Sequence, residues 1–211
     1  MAKYENGILG NFNGTVGSVV GASWRGIPYM RSKAAKTKRA PTTAQLTQRG
    51  KFAIAGRFIS RINRLLMLVS AGRSDRTWAN QVLSETIKRA IIGEYPSFEI
   101  DYSKVLISRG ELFNANSPAS VTAGNGIVQF NWQDNTDTVS AMADDQCILL
   151  AYCPEAGQCI YKFQGAQRNA SSDELNLAGF AGKTVHTWIT FRSFDGKRIA
   201  TSIYAGAVVV A

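Results

Sequence analysis

One histidine, three cysteines and two pairs of aspartates are the residues with which this chain could do acid–base, nucleophilic or metal chemistry. None stands in a pattern that such chemistry requires. His186 lies in a strand-like run, Val185-His186-Thr187-Trp188, and no G-x-S-x-G elbow supplies it with a nucleophile. It reads as a satisfied or surface histidine. Cys147, Cys153 and Cys159 are an odd set without a C-x-x-C pair, so neither a disulfide framework nor a zinc knuckle is expected. They read as small apolar strand residues, with a Cys153–Cys159 bridge across a hairpin as the alternative. Asp144-Asp145 and Asp134/Asp137 are the nearest approach to paired carboxylates, but both sit in turn-like segments where Asp bonds its own backbone. Asn169-Ala170-Ser171 reads as a chance sequon, and no G-x-x-x-x-G-K-[ST] phosphate loop is present. The expectation is a non-enzyme with no catalytic residue, no metal, no cofactor and no small-molecule substrate.

Charge is the stronger signal. The 211 residues carry 24 Lys+Arg against 15 Asp+Glu, a net of +9, divided unevenly. Residues 1–94 hold sixteen cations and four acids; residues 95–211 hold eight and eleven. Such a split predicts modules with different surfaces, which can attract one another between copies or present the basic part to an outside polyanion. Arg31, Lys33, Lys36, Lys38 and Arg39 fall within nine residues that contain no acid. Arg57, Arg61 and Arg64 recur at helical spacing. These eight are the candidate contacts for a polyanion or an acidic partner.

The elements that must position these groups form three regions. In residues 1–40, Gly7, Gly10, Gly14, Gly17 and Gly21 recur at spacings of three and four, but glycines and β-branched residues make a poor helix. The reading is an extended arm: a strand over 15–23, a turn at Trp24-Arg25-Gly26 and a second strand over 27–32. In residues 41–94, Thr42 and Gln45 stand at capping-box spacing, and Phe52, Ala55, Ile59, Ile62, Leu66 and Val69 form one apolar stripe to about Ser70. The three arginines fall opposite. A second helix is expected from a Ser74 cap to before Gly93, with Trp78, Val82, Leu83, Ile87 and Ile91 inward, giving an antiparallel pair. In residues 95–211, short alternating runs are predicted as strands: 104–108, 127–132, 147–152, 159–163, 185–191, 199–204 and 207–210. Turn-formers such as Gly124-Asn125-Gly126 and Asp195-Gly196 separate them, as in an antiparallel sandwich. The fold class is therefore α+β.

Gly126-Ile127-Val128-Gln129-Phe130-Asn131-Trp132 resembles the early tryptophan strand of fibronectin type III domains, and residues 175–185 resemble the corner and strand that follow later in that family. Val185 stands where that family has its corner tyrosine. The resemblance implies an Ig or fibronectin III-like sandwich and says little about function. Gly17 to Ser32, with Trp24-Arg25-Gly26-Ile27-Pro28-Tyr29-Met30-Arg31-Ser32 at its centre, followed by Pro41-Thr42-Thr43-Ala44-Gln45, resembles an uncharacterised bacterial family of about this length, a domain of unknown function with related segments in phage-associated proteins.

The function expected from these features is a structural subunit that self-assembles into a filament, tube, or virion or surface layer. Its arm would dock on a neighbour through Val16, Val19, Trp24, Ile27, Tyr29 and Met30. The alternatives are a nucleic-acid-binding protein using residues 31–64, and an adhesion module built on the sandwich. The polar start and glycine-broken stretch after it lack the apolar run of a cleaved signal, and no apolar run reaches twenty residues. Synthesis in the cytoplasm is expected, without a membrane span and with the final location, virion or extracellular, left open.

Overall fold

The computed structural model describes residues 3–4 (backbone only), 10–35, 40–70, 78–136 and 141–211. Two compact units divide the chain, Met1–Pro41 and Thr42–Ala211.

The first unit is a four-stranded antiparallel sheet: β1 (Lys3–Tyr4), β2 (Phe12–Val16), β3 (Val19–Trp24) and β4 (Ile27–Ser32), in that spatial order. The arm is thus extended, as expected, with one more turn than expected. Val16 pairs with Val19 and Trp24 with Ile27, so each hairpin closes in two residues. Such loops need positive φ, supplied by Gly17 (57°) and by Arg25 and Gly26 (51° and 81°). Gly21 answers a different need. A Cβ there would collide with the carbonyl oxygen and ring of Phe12, which cross over it.

The second unit begins with α1 (Thr43–Ser70). Its capping box is formed reciprocally: the Thr42 N–H donates to Gln45 Oε1 at 3.1 Å and the Gln45 N–H to Thr42 Oγ1 at 3.3 Å. Ala55, Ile59, Ile62, Leu66 and Val69 are buried as the stripe requires, joined by Phe58 and Leu65. Phe52, expected on the stripe, is 56% exposed. At 100° per residue it lies about 80° from Ile62 at the centre of the buried arc, just past the arc's edge.

The second helix, α2 (Trp78–Arg89), ends sooner than expected, and the Ser74 cap lies outside the described residues. Ile91 is not helical. It opens β5 (Ile91–Ile92), which pairs with β6 (Glu99–Ile100), because adjacent β-branched residues favour the extended state.

The strand expected over 104–108 is absent; a 3-10 turn at Tyr102–Lys104 leads into an irregular buried segment. Side chains replace the strand ladder there. Ile107 N–H donates to Ser202 Oγ (2.9 Å), while the Val105 and Ile107 carbonyls accept from the indoles of Trp188 (3.1 Å) and Trp78 (3.2 Å).

Beyond it lie β7 (Asn116–Gly124), β8 (Ile127–Gln133), β9 (Gln146–Cys153), β10 (Gln158–Lys162), β11 (Ser172–Asn176), β12 (Thr184–Arg192) and β13 (Ile203–Val209). The runs expected at 199–204 and 207–210 become one strand, with Ile199 and Ala200 held by isolated bridges. Two antiparallel sheets result, β10-β9-β12-β13 and β11-β8-β7, confirming an α+β fold with a sandwich. Thr122 Oγ1 donates to the Val209 carbonyl (2.6 Å) and Ser120 Oγ to that of Ala205 (3.2 Å), tying β7 to β13.

Strand β9 serves two cores. Cys147, Leu149, Ala151 and Cys153 point into the sandwich with Phe130, Trp132, Leu175 and Phe191. Ile148, Leu150 and Tyr152 point the other way, onto Phe58, Ile62 and Leu66 of α1 and Val82 of α2. The helices are therefore a third layer on the outer face of the β9–β12 sheet. That packing places residues 42–211 in one unit, where the sequence divides them near residue 94. No described helix is long and apolar enough to cross a membrane.

Candidate functional site

The chemistry-bearing residues are engaged in structure. His186 on β12 is half-buried, its Nδ1 2.8 Å from the Tyr204 hydroxyl and its ring stacked on Tyr102 at 4.1 Å. Burial lowers its pKa below the usual 6.5. Since the fold favours the neutral ring, the associated stability is complete above pH 6.5 and is lost as pH falls from there to the folded-state value. The chain's one histidine gives a single imidazole titration by NMR. Its midpoint is expected below 6.5 when folded and near 6.5 in urea; a folded midpoint at or above 6.5 refutes the burial.

His186 also borders an open groove of about 530 Å³ with Ile54, Ile92, Phe98, Tyr102 and Pro154. Its walls are mostly apolar, and the described side-chain hydrogen bond of the histidine goes to the Tyr204 hydroxyl.

Asp145 is not a turn residue alone. It forms a fully buried ion pair with Arg168, Oδ2 accepting from Nη2 at 3.0 Å and Nε at 3.2 Å. Arg168 also donates to Asn135 Oδ1 and the Phe113 carbonyl, both at 2.8 Å, and lies 4.2 Å over the Phe191 ring. Its own carbonyl accepts from Trp132 Nε1 at 2.8 Å. The arginine is a structural hub that sequence reading missed. Nothing in the Gln167-Arg168-Asn169 context marks it as buried.

Asp134 bonds Thr136 and holds a lowered pKa through those bonds; Asp137 lies outside the described residues. Asp173, unnoticed in the sequence, accepts from Lys162 Nζ (2.6 Å), the Ala166 N–H (2.9 Å) and Cys147 Sγ (3.2 Å). Burial acts to raise its pKa, but these donors outweigh it and the net shift is downward.

All three cysteines are free. Register explains why the alternative hairpin bridge does not form: Cys153 pairs with Gln158 and Cys159 with Tyr152, so the two sulfurs point to opposite faces of the sheet. Among the described residues no group of three or more His, Cys, Asp or Glu is placed to hold a metal.

Two surfaces remain. On the N-terminal sheet all six candidate residues are exposed, Trp24 and Ile27 at 63% and Met30 at 71%. Strand alternation and pairing divide them: Trp24, Ile27 and Tyr29 share one face with Arg31, while Val16, Val19 and Met30 share the other. The Arg25 guanidinium lies 5.1 Å over the Trp24 ring. Gly21 is the one buried residue among those described in this unit. β4 has β3 on one side and no described strand on the other.

The second surface is the outward side of α1, where Arg57, Arg61 and Arg64 are all exposed. Arg31 and Lys33 are exposed too, whereas Lys36, Lys38 and Arg39 lie outside the described residues.

The sequence matches the family of unknown function DUF6266 over residues 11–206. The chain belongs to DUF6266. The DUF6266 match runs from just before β2 into β13, so it takes in β2–β4 of the N-terminal sheet, both helices and the sandwich up to the first part of β13. No curated protein matches. A solved structure similar to part of this DUF6266 chain is the fn3 domain of the human collagen alpha-1(XX) chain, with 16% identity and a TM-score of 0.34, covering 49% of this chain and 90% of that one.

Proposed function

We propose that the protein is a non-catalytic structural subunit that self-assembles into a filament, tube, or virion or surface layer, its N-terminal sheet docking on a neighbouring copy. The observation that carries this reading is the sheet of Met1–Pro41, which presents large apolar residues on both faces and buries one described residue.

A sheet normally needs an apolar face covered to be stable, and the β3–β4 hairpin supplies no cover of its own. Burying one Trp, Ile or Met side chain contributes about 1.5–3 kcal/mol, while association costs on the order of 4–15 kcal/mol. Several of the six residues must therefore be buried together. The open side of β4 offers backbone groups to which a neighbour's strand can add. A contact between unlike surfaces repeats head-to-tail, and gives open polymers when the rotation does not close.

Full-length protein is expected to scatter light as large particles, and the variant Trp24→Glu/Ile27→Glu/Met30→Glu as particles near the 22.9 kDa monomer. A full-length chain that is monomeric at high concentration sinks the reading, as does a variant that assembles like the parent.

A further inference from the structure

Helix α1 holds 28 residues with five cations, Arg49, Lys51, Arg57, Arg61 and Arg64, and not one Asp or Glu. A helix face that merely meets water ordinarily intersperses acids, because an i,i+4 pair of like charges costs about 0.2–0.5 kcal/mol and an opposite pair gains as much. Arg57 and Arg61 form such a like pair. The ion pairs of the described residues use Arg89, Lys104, Arg109, Lys162 and Arg168; none neutralises Arg57, Arg61 or Arg64.

We propose that this face of α1 binds the phosphodiester backbone of duplex nucleic acid. At 100° and 1.5 Å per residue the three arginines lie within a sector of about 60°, stepping along the axis by about 6 and then 4.5 Å. That spacing serves consecutive phosphates of one strand, and a guanidinium can grip each with two parallel hydrogen bonds. Ala53 and Ser60, both small, lie beside the arginines on the same exposed side. A sugar–phosphate strand can therefore approach the helix closely.

The same face lacks an aromatic platform. Phe52, the exposed ring of α1, lies about 140° around the helix from Arg57, so bases have nothing to stack on. Contacts limited to phosphates position a duplex without reading its sequence. The net charge of +9 adds long-range attraction. None of this depends on assembly through the N-terminal sheet, so the two readings stand or fall separately.

The test is fluorescence anisotropy of a labelled 20-base-pair DNA duplex of arbitrary sequence, titrated with the full-length chain between 50 and 200 mM KCl. The comparison variants are Arg57→Gln/Arg61→Gln/Arg64→Gln and a charge-matched control, Lys88→Gln/Lys197→Gln/Arg198→Gln. Circular dichroism and thermal melting verify that both fold like the parent. The parent is expected to bind with a steep salt slope. The α1 variant is expected to lose on the order of 100-fold in affinity at 100 mM salt and about 2.7 from the magnitude of the log–log slope, at about 0.9 per phosphate. The control is expected to stay within about threefold of the parent.

Three outcomes overturn the proposal. One is no binding at 50 mM salt. Another is an α1 variant that keeps the parent's affinity and slope, which assigns any binding to the basic stretch 31–39. The last is equal or tighter binding of polyglutamate or phosphatidylglycerol vesicles through the same three arginines, which assigns the face to an acidic protein or a membrane.

Discussion

Arg168→Ala is expected to lower the unfolding free energy by about 3–5 kcal/mol, because it leaves the Asp145 carboxylate buried without its counter-ion. For a chain of this size that corresponds to a fall in Tm of roughly 10–15 °C. The substitution also strips donors from Asn135 and the Phe113 carbonyl, and cation from the face of Phe191. Thermal and urea denaturation measure the loss. The double variant Arg168→Met/Asp145→Leu is expected to recover much of it, since an apolar pair carries no desolvation penalty. A single variant that melts with the parent refutes the hub.

The second large effect is expected at Trp188, fully buried where sheet and helices meet. Its ring lies 6.3 Å from Phe58, 6.2 Å from Tyr102 and 5.5 Å from Tyr204, and its N–H bonds the Val105 carbonyl. Trp188→Ala should cost about 3–5 kcal/mol by opening a cavity in the helical layer. Trp188→Phe should cost less, about 1–3 kcal/mol, mainly by leaving the Val105 carbonyl without its donor. The denaturant midpoint reports both, with an unchanged slope marking an intact two-state transition. An alanine variant as stable as the parent would mean that the helices do not pack on β12 as described.

What the sequence disclosed and concealed has physical causes. Helix α1 was legible because two independent signals agreed, the Thr42/Gln45 box and a stripe with a 3.6-residue period. Strands β8, β9, β10 and β12 were legible as apolar or alternating runs. β7 and β11 were not, because Asn116–Gly124 and Ser172–Asn176 are mostly small or polar residues on outer strands, where one face meets water. Val105 and Ile107 were misread as strand residues because they are buried and β-branched. Their backbone partners, two indoles and a serine hydroxyl, come from distant positions that local pattern does not reveal.

The candidate surfaces were partly legible. The Arg57–Arg61–Arg64 ridge follows from helical period alone. The six apolar residues of the arm were recognisable as a set, but their division between two faces needed the strand register. Arg168 was illegible, since a buried arginine is indistinguishable in sequence from a surface one until its carboxylate is placed beside it.

The doubly covered strand β9 has a further consequence, for biosynthesis. Phe58 leaves the ribosome 130 residues ahead of Trp188, the ring it must meet, and at about 5–20 residues per second that interval is roughly 6 to 26 s. For the first part of it, until β9 follows, the oily side of α1 has no sheet to rest on. When Ile148, Leu150 and Tyr152 do emerge, the residues of α1 are already present to receive them, so one apolar side of β9 can be covered before β12 arrives.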